Sequence, residues 1–272
     1  MVGIAPFPPS LQFLLGTDAK GFDLLHVIIE GAKWTIGAAI CIAALRVICG
    51  IVLGVVLSLY TKKLMKKAEA LFDSFTIIPL AVFAYFILHT VLVFDNGLPL
   101  YPLYQRALFQ IAVLALLAVP TVTFYMAKEI QKLGAEEFID FAIILGGSKF
   151  HIWKTHLFPH LLPIFLLVFV QQFVQVLILL MHLGVLGLFF GDEFDSVSHE
   201  WSGMIGMNFR SLFVHPWIPL VPIAFFTLSI IAASVIVKGS ERSYYAAKTQ
   251  SFAVVKSYTH KKHIQVKEES FI

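Results

Sequence analysis

Charge is what this sequence has least of. Only 14% of its 272 residues are Asp, Glu, Lys or Arg, against about a quarter in ordinary soluble domains. Polar side chains are too few to coat a soluble surface of this size. A mean hydropathy of +0.84 and 58% hydrophobic residues direct the reading to an integral membrane protein. Cysteine is also scarce. Cys41 and Cys49 lie in one apolar segment, too far apart along a helix to bridge each other, so both read as reduced, small apolar residues. The first fifteen residues hold no basic stretch and no small-residue cleavage site, so no secretory signal is read there. No G-x-x-x-x-G-K-[ST] phosphate loop occurs. No nucleophile stands with a base, and nothing calls for a bound cofactor, a metal or a nucleic-acid partner.

Long apolar runs are what the sequence does have. Residues 1–33 read as an extracytoplasmic start: Pro6, Pro8 and Pro9 oppose a helix. The turn segments Gly16-Thr17-Asp18 and Gly21-Phe22-Asp23 can cap the helix that follows. Five apolar segments come next: Trp34–Tyr60, Phe72–Phe94 with Pro79 inside it, Ala107–Met126 with Pro120, Leu162–Leu186 and Trp217–Val237. Each is long enough to cross about 30 Å at 1.5 Å per residue. The expected fold is therefore an all-α integral membrane protein, with a transmembrane domain over 34–237 and a tail over 238–272.

Lys and Arg set the orientation. The first loop holds Lys62, Lys63, Lys66 and Lys67; the second, 95–106, holds only Arg106. The third, 127–161, holds Lys128, Lys132, Lys149 and Lys154, and the tail holds a further series from Lys238 to Lys267. In the fourth, 187–216, Arg210 faces Asp192, Glu193, Asp195 and Glu200. Loops one and three and the C-terminus are expected to be cytoplasmic, and the N-terminus outside. Either the first span carries the N-terminal segment across, or a helix precedes it.

The third loop is too elaborate for a simple connection. It begins as a helix, with Glu136, Glu137 and Asp140 on one face and Phe138, Ile139, Ala142, Ile143 and Leu145 on others. Gly146-Gly147-Ser148 breaks it, and a second amphipathic piece with Phe150, Ile152, Trp153 and Leu157 is expected to end at Pro159. Such a hairpin can project an apolar knob into a partner's groove; equally, it can lie on the membrane surface. In the fourth span Gln171, Gln175 and His182 share one helix face. They offer hydrogen bonds either to a solute in a pathway or to neighbouring helices. Arg46 lies mid-span and is counted with them as a candidate pathway-lining residue; with no carboxylate in the centre of any span, a carbonyl, a water-filled cavity or a partner's residue is its expected neighbour. Of His151, His156 and His160, only the last two have helical spacing, and they read as surface residues rather than metal ligands.

The third loop resembles the cytoplasmic coupling loop of ABC importer permeases, the EAA loop. Asp140-Phe141-Ala142 stands at the Glu-Ala-Ala positions, Gly146-Gly147-Ser148 at Gly-Ala-Ser, Ile152 at the Ile, and His156-Leu157-Phe158-Pro159 at His-Ile-Leu-Pro. Residues 16–23, Gly-Thr-Asp-Ala-Lys-Gly-Phe-Asp, are similar to the Gly-Thr-Asp-x-x-Gly-Arg-Asp segment of the peptide/nickel branch. Glu200-Trp201-Ser202-Gly203-Met204 with Pro216-Trp217 resembles that branch's segment before its last helix. Together these cover nearly the whole chain and point to the second permease subunit of oligopeptide/dipeptide transporters. Asp140, Phe141 and Phe22 depart from the pattern, which has Glu, Ala and Arg there.

The resemblance implies a five-helix type I importer core, with a further helix before the Gly-Thr-Asp segment in that branch. It implies docking of Asp140, Ala142, Gly146, Gly147, Ser148, Ile152, His156 and Pro159 on a separate ABC ATPase. A second permease, an extracytoplasmic solute-binding protein and a bacterial cytoplasmic (inner) membrane complete the expected assembly. Peptide is the expected cargo, nickel or a metal chelate the alternative. Readings of a different class are an ATP-independent secondary transporter or channel, and a non-transporting divergent paralogue.

Overall fold

The computed structural model describes residues 5–60, 79–95, 98–191, 199–240 and 242. In chain order the helices are α1 (Leu24–Tyr60), α2 (Leu80–Leu92), α3 (Leu103–Gly134), α4 (Glu137–Ile144), α5 (Lys149–Ile152), α6 (Phe158–Val185), α7 (Trp201–Asn208) and α8 (Trp217–Ser240). A π-helical turn, Trp153–Leu157, joins α5 to α6, and a 3-10 turn, Phe209–Phe213, follows α7. A short antiparallel ladder pairs Phe94 with Pro99 and Asp95 with Leu98.

Among the described residues four stretches are long and apolar enough to cross a membrane: Leu24–Ser58, Leu103–Gly134, Phe150–Val185 and Trp217–Ser240. What is described of the expected second span is α2, whose 13 residues fall short of the roughly 20 that a spanning helix needs. Residues 72–78 of that span lie outside the described residues, as do Lys62, Lys63, Lys66 and Lys67, the acids Asp192, Glu193 and Asp195, and the tail from 243 onward. Pro79 is at the N-cap of α2 rather than inside a helix. That position suits it, because no hydrogen bond is lost where a helix begins.

The first helix starts at Leu24, ahead of the expected Trp34. Asp23 explains the early start: its Oδ1 accepts the Leu25 N–H at 3.0 Å, the capping bond that satisfies one free donor of the first turn. The segment before it is tied to the bundle by Trp217, whose Nε1 donates to the Thr17 carbonyl at 3.2 Å.

Among the described residues two apolar cores hold the bundle. One gathers Leu24, Ile28, Ile42, Leu88, Leu114, Leu177 and Leu180 with Trp201, Ile205 and Phe226. The other joins Val47, Val122, Met126 and Ile130 to Leu161, Phe165 and Val168. Between them in sequence lie the polar side chains of Arg46 on α1 and Gln172 on α6, and Arg46 reaches the Leu114 carbonyl on α3.

Part of the fourth loop packs into the bundle. Trp201, Ser202, Met204 and Ile205 of α7 are buried. The Trp201 N–H donates to Thr35 Oγ1 at 2.9 Å, and its indole Nε1 donates to the Ile28 carbonyl at 2.8 Å. Gly31 permits this approach, since a Cβ there would collide with the His199 carbonyl. Arg106 is likewise not a loop residue: it is in the first turn of α3 and 1% exposed.

Candidate functional site

The hairpin after α3 is built outward from three buried side chains. Ile139 of α4, Ile152 of α5 and Leu157 of the π turn are 3%, 6% and 7% exposed, packed with Met126 and Ile130 of α3 and Leu161 and Phe165 of α6. Ala142 packs against the same cluster. The turn has a physical reason in every residue. Gly146 takes φ +84°, the left-handed conformation that favours glycine. Its N–H donates to the Ile143 carbonyl at 2.9 Å, and the Gly147 N–H to the Ala142 carbonyl at 3.0 Å. That pair of bonds is the Schellman stop, which satisfies the last carbonyls of α4. Ser148 then opens α5: its carbonyl accepts the Ile152 N–H at 2.9 Å and its Oγ accepts the His151 N–H at 3.2 Å.

The second piece does not end at Pro159. The backbone passes through the π turn into α6, and Pro159 falls in the first turn of that helix, where its missing N–H costs little. His156 is half-buried and Pro159 exposed. His160 stacks on Phe138 at 5.3 Å between centroids, and its Nδ1 lies 2.8 Å from the His156 carbonyl, tying α4 to the start of α6. Among the described residues no group of three or more His, Cys, Asp or Glu is placed to hold a metal ion.

What this scaffold presents is apolar. Phe141, Ile143, Ile144, Leu145 and Phe150 are exposed around the turn, Ile144 at 78% and Leu145 at 87%. Asp140 is exposed in the first turn of α4 beside Glu137, where negative charge complements the helix dipole. A contiguous exposed apolar tip held on a rigid seat has the physical character of an interaction site.

The polar residues of α6 divide between two faces. Gln175 and His182 are exposed and Gln171 is half-buried, so this face is not used by the chain's own core. Gln172, one residue on, is 9% exposed and accepts from Arg46 Nη1 at 3.3 Å. Arg46 is fully buried; its Nε and Nη2 both donate to the Leu114 carbonyl, at 3.0 and 2.7 Å. The carbonyl is one of the neighbours the sequence allowed. Gln172 was not foreseen, because its neighbour Gln171 has the same chemistry and only packing separates them.

A second buried polar group was also missed. Glu200, counted in the sequence as a loop acid, is the N-cap residue of α7 and is fully buried. Its Oε1 accepts the Gly191 N–H at 3.0 Å. Arg106 Nη2 donates to the Phe189 carbonyl at 2.9 Å, so the turn after α6 is held from both sides. Burial pushes the Glu200 carboxyl up to about 7; the Gly191 N–H, the Ser202 hydroxyl, the Phe190 backbone and the Arg106 charge offset part of the rise. Neither Glu200 Oε2 nor Ser202 Oγ completes a well-formed hydrogen bond, so the help from Ser202 is proximity more than bonding.

Comparison with known proteins agrees with this architecture. Residues 50–244 match the family described as binding-protein-dependent transport system inner membrane component. The peptide transport system permease protein SapC of Escherichia coli O6:H1 is 25% identical over 253 residues, 90% of this chain and 79% of the relative. SapC of Salmonella typhimurium is 26% identical over the same shares. SapC of Haemophilus influenzae is 26% identical over 227 residues, 81% of this chain and 72% of the relative.

Proposed function

This chain belongs to the family of binding-protein-dependent transport system inner membrane components, and from that premise we propose that it is a peptide permease subunit driven by a separate ATPase. It is a multi-pass membrane protein whose family transports rather than catalyses. The hairpin α4–α5 is the coupling element, and Asp140, Ala142, Gly146, Gly147, Ser148, Ile152, His156 and Pro159 form or support its docking surface. The observation that carries this reading is the exposed apolar tip of Ile144, Leu145 and Phe150, held on the buried seat of Ile139, Ile152 and Leu157. A stiff element with different contacts in two states is what coupling to ATP requires.

Five spans complete the core, α2 being the described part of the second, with the N-terminus outside and the C-terminus cytoplasmic. The exposed face of Gln171, Gln175 and His182 lines the pathway against a second permease, since lipid is a costly neighbour for a mid-span amide. Arg46 supports that face from behind, through Gln172. An extracytoplasmic solute-binding protein delivers the cargo. Peptide is the cargo class favoured by the SapC relatives; nickel or a metal chelate is the alternative within the same branch.

The deciding experiment purifies the chain from its native membrane and identifies what accompanies it, then measures ATP-dependent peptide uptake in proteoliposomes. A cognate ATPase and a second permease should come down with it. Gln175→Leu and His182→Leu should alter uptake while leaving assembly intact. A chain that purifies alone and moves solute without ATP refutes the coupling reading. Loss of assembly in both α6 variants would instead assign that face to bundle packing.

A further inference from the structure

Two arginines are buried in this bundle, and their surroundings differ. Arg106 lies within electrostatic reach of Glu200. Arg46 makes all its resolved hydrogen bonds to neutral oxygens, those of Leu114 and Gln172. Among the described residues no carboxylate lies within salt-bridge distance of it. Nor does one occur in the span regions around it: residues 34–60 of α1, 103–127 of α3, and the whole of α6 are free of Asp and Glu.

Satisfying a guanidinium's donors does not cancel its charge. Arginine keeps its proton at any pH a protein meets, and a buried charge is screened far less than a surface one. The charge is also close to the polar face of α6. Gln172, which bonds Arg46, is next to Gln171 and one helical turn from Gln175. Side chains at that spacing are about 5–6 Å apart at Cβ, which places the charge on the order of 10 Å from Gln175. The face itself carries only two amides and an imidazole, so nothing on it masks that potential.

We propose that Arg46 sets the charge preference of translocation: its positive potential behind the Gln171–Gln175 face favours anionic peptides and disfavours cationic ones. This deepens the pathway reading above and rests on it. At about 10 Å and an effective dielectric of about 20, one unit charge is favoured or penalised roughly tenfold.

The test uses the complete transporter in proteoliposomes and three tripeptides, Ala-Glu-Ala, Ala-Gln-Ala and Ala-Lys-Ala. The readout is the ratio of Glu-peptide to Lys-peptide uptake in each variant divided by that of the wild type, which removes the binding protein's own preference. Arg46→Gln deletes the charge. Gln172→Glu leaves the arginine in place and neutralises it with a carboxylate of nearly the same shape. Because the two charged peptides are affected in opposite senses, both should lower the ratio by on the order of a hundredfold, and Arg46→Lys should preserve it. Gln175→Leu serves as the control on the pathway. If Gln175→Leu alters uptake but the ratio stays within twofold of wild type in assembled Arg46→Gln or Gln172→Glu complexes, this proposal alone is overturned. If Gln175→Leu leaves all three peptides unaffected, the pathway reading fails and takes the proposal with it. Failure of both neutralised variants to assemble overturns it too, leaving Arg46 a packing residue.

Discussion

Replacing Leu145 with alanine tests the hairpin at its most exposed point. Leu145 is 87% exposed and Ile144 78%, and neither belongs to the cluster that seats the hairpin. Truncating either should change the chain's own stability by no more than about 0.5 kcal/mol. If an ATPase groove covers the side chain, burying a leucine there is worth about 1.5–3 kcal/mol, most of which alanine forfeits. At about 1.4 kcal/mol per factor of ten, the ATPase should bind roughly tenfold more weakly. The measurement is a titration of labelled ATPase onto the permease complex in nanodiscs, with thermal unfolding of each variant alongside. Ile139→Ala provides the contrast. At 3% exposure it removes a core side chain, costs about 2–5 kcal/mol of folding stability, and weakens docking by loosening the seat. ATPase affinity within twofold of wild type for both Leu145→Ala and Ile144→Ala, in stably folded complexes, would refute the claim that this tip is the docking surface.

Three further outcomes are expected. Glu200 titrates at about 7 in the folded chain against an ordinary 4.5, so between those values the folded state binds a proton that the unfolded state does not. Stability should therefore fall as pH rises from 4.5 to 7, by about 3 kcal/mol in all, and level off above that. Glu200→Gln should flatten the slope in detergent-solubilised melts at pH 5, 6 and 8, and a slope unchanged by the substitution assigns the pH dependence to another group. Gly31→Ala should dislodge α7, because its methyl meets the His199 carbonyl; overpacking of this kind costs about 1–3 kcal/mol, read as faster proteolysis after α6, and wild-type resistance would show that the approach is loose. A Ser10→Cys variant should react with an impermeant thiol reagent on intact cells, whereas labelling only after permeabilisation would reverse the orientation.

Much of the hairpin was legible in the sequence because its signals are local. Gly146-Gly147-Ser148 announces a stop and a restart, and the structure realises both through bonds no longer than one helical turn. Misreadings arose where backbone geometry or a distant contact decides the outcome. Pro159 reads as a terminator, yet the π turn ahead of it lets the helix continue. The sequence counts Glu200 and Arg106 as loop charges, yet both are buried against the turn after α6.

Composition and hydropathy alone determined that this is a helical membrane protein, because a bilayer leaves a spanning backbone no hydrogen-bond partners but its own. Spacing alone identified the hairpin and the polar stripe of α6. The sequence did not determine which glutamine faces outward and which bonds Arg46, nor that the segment around Trp201 packs into the bundle. Those depend on how three helices rotate against one another. Adjacent residues on a helix point about 100° apart, so only packing decides that Gln172 turns inward while Gln175 is left for something outside this chain.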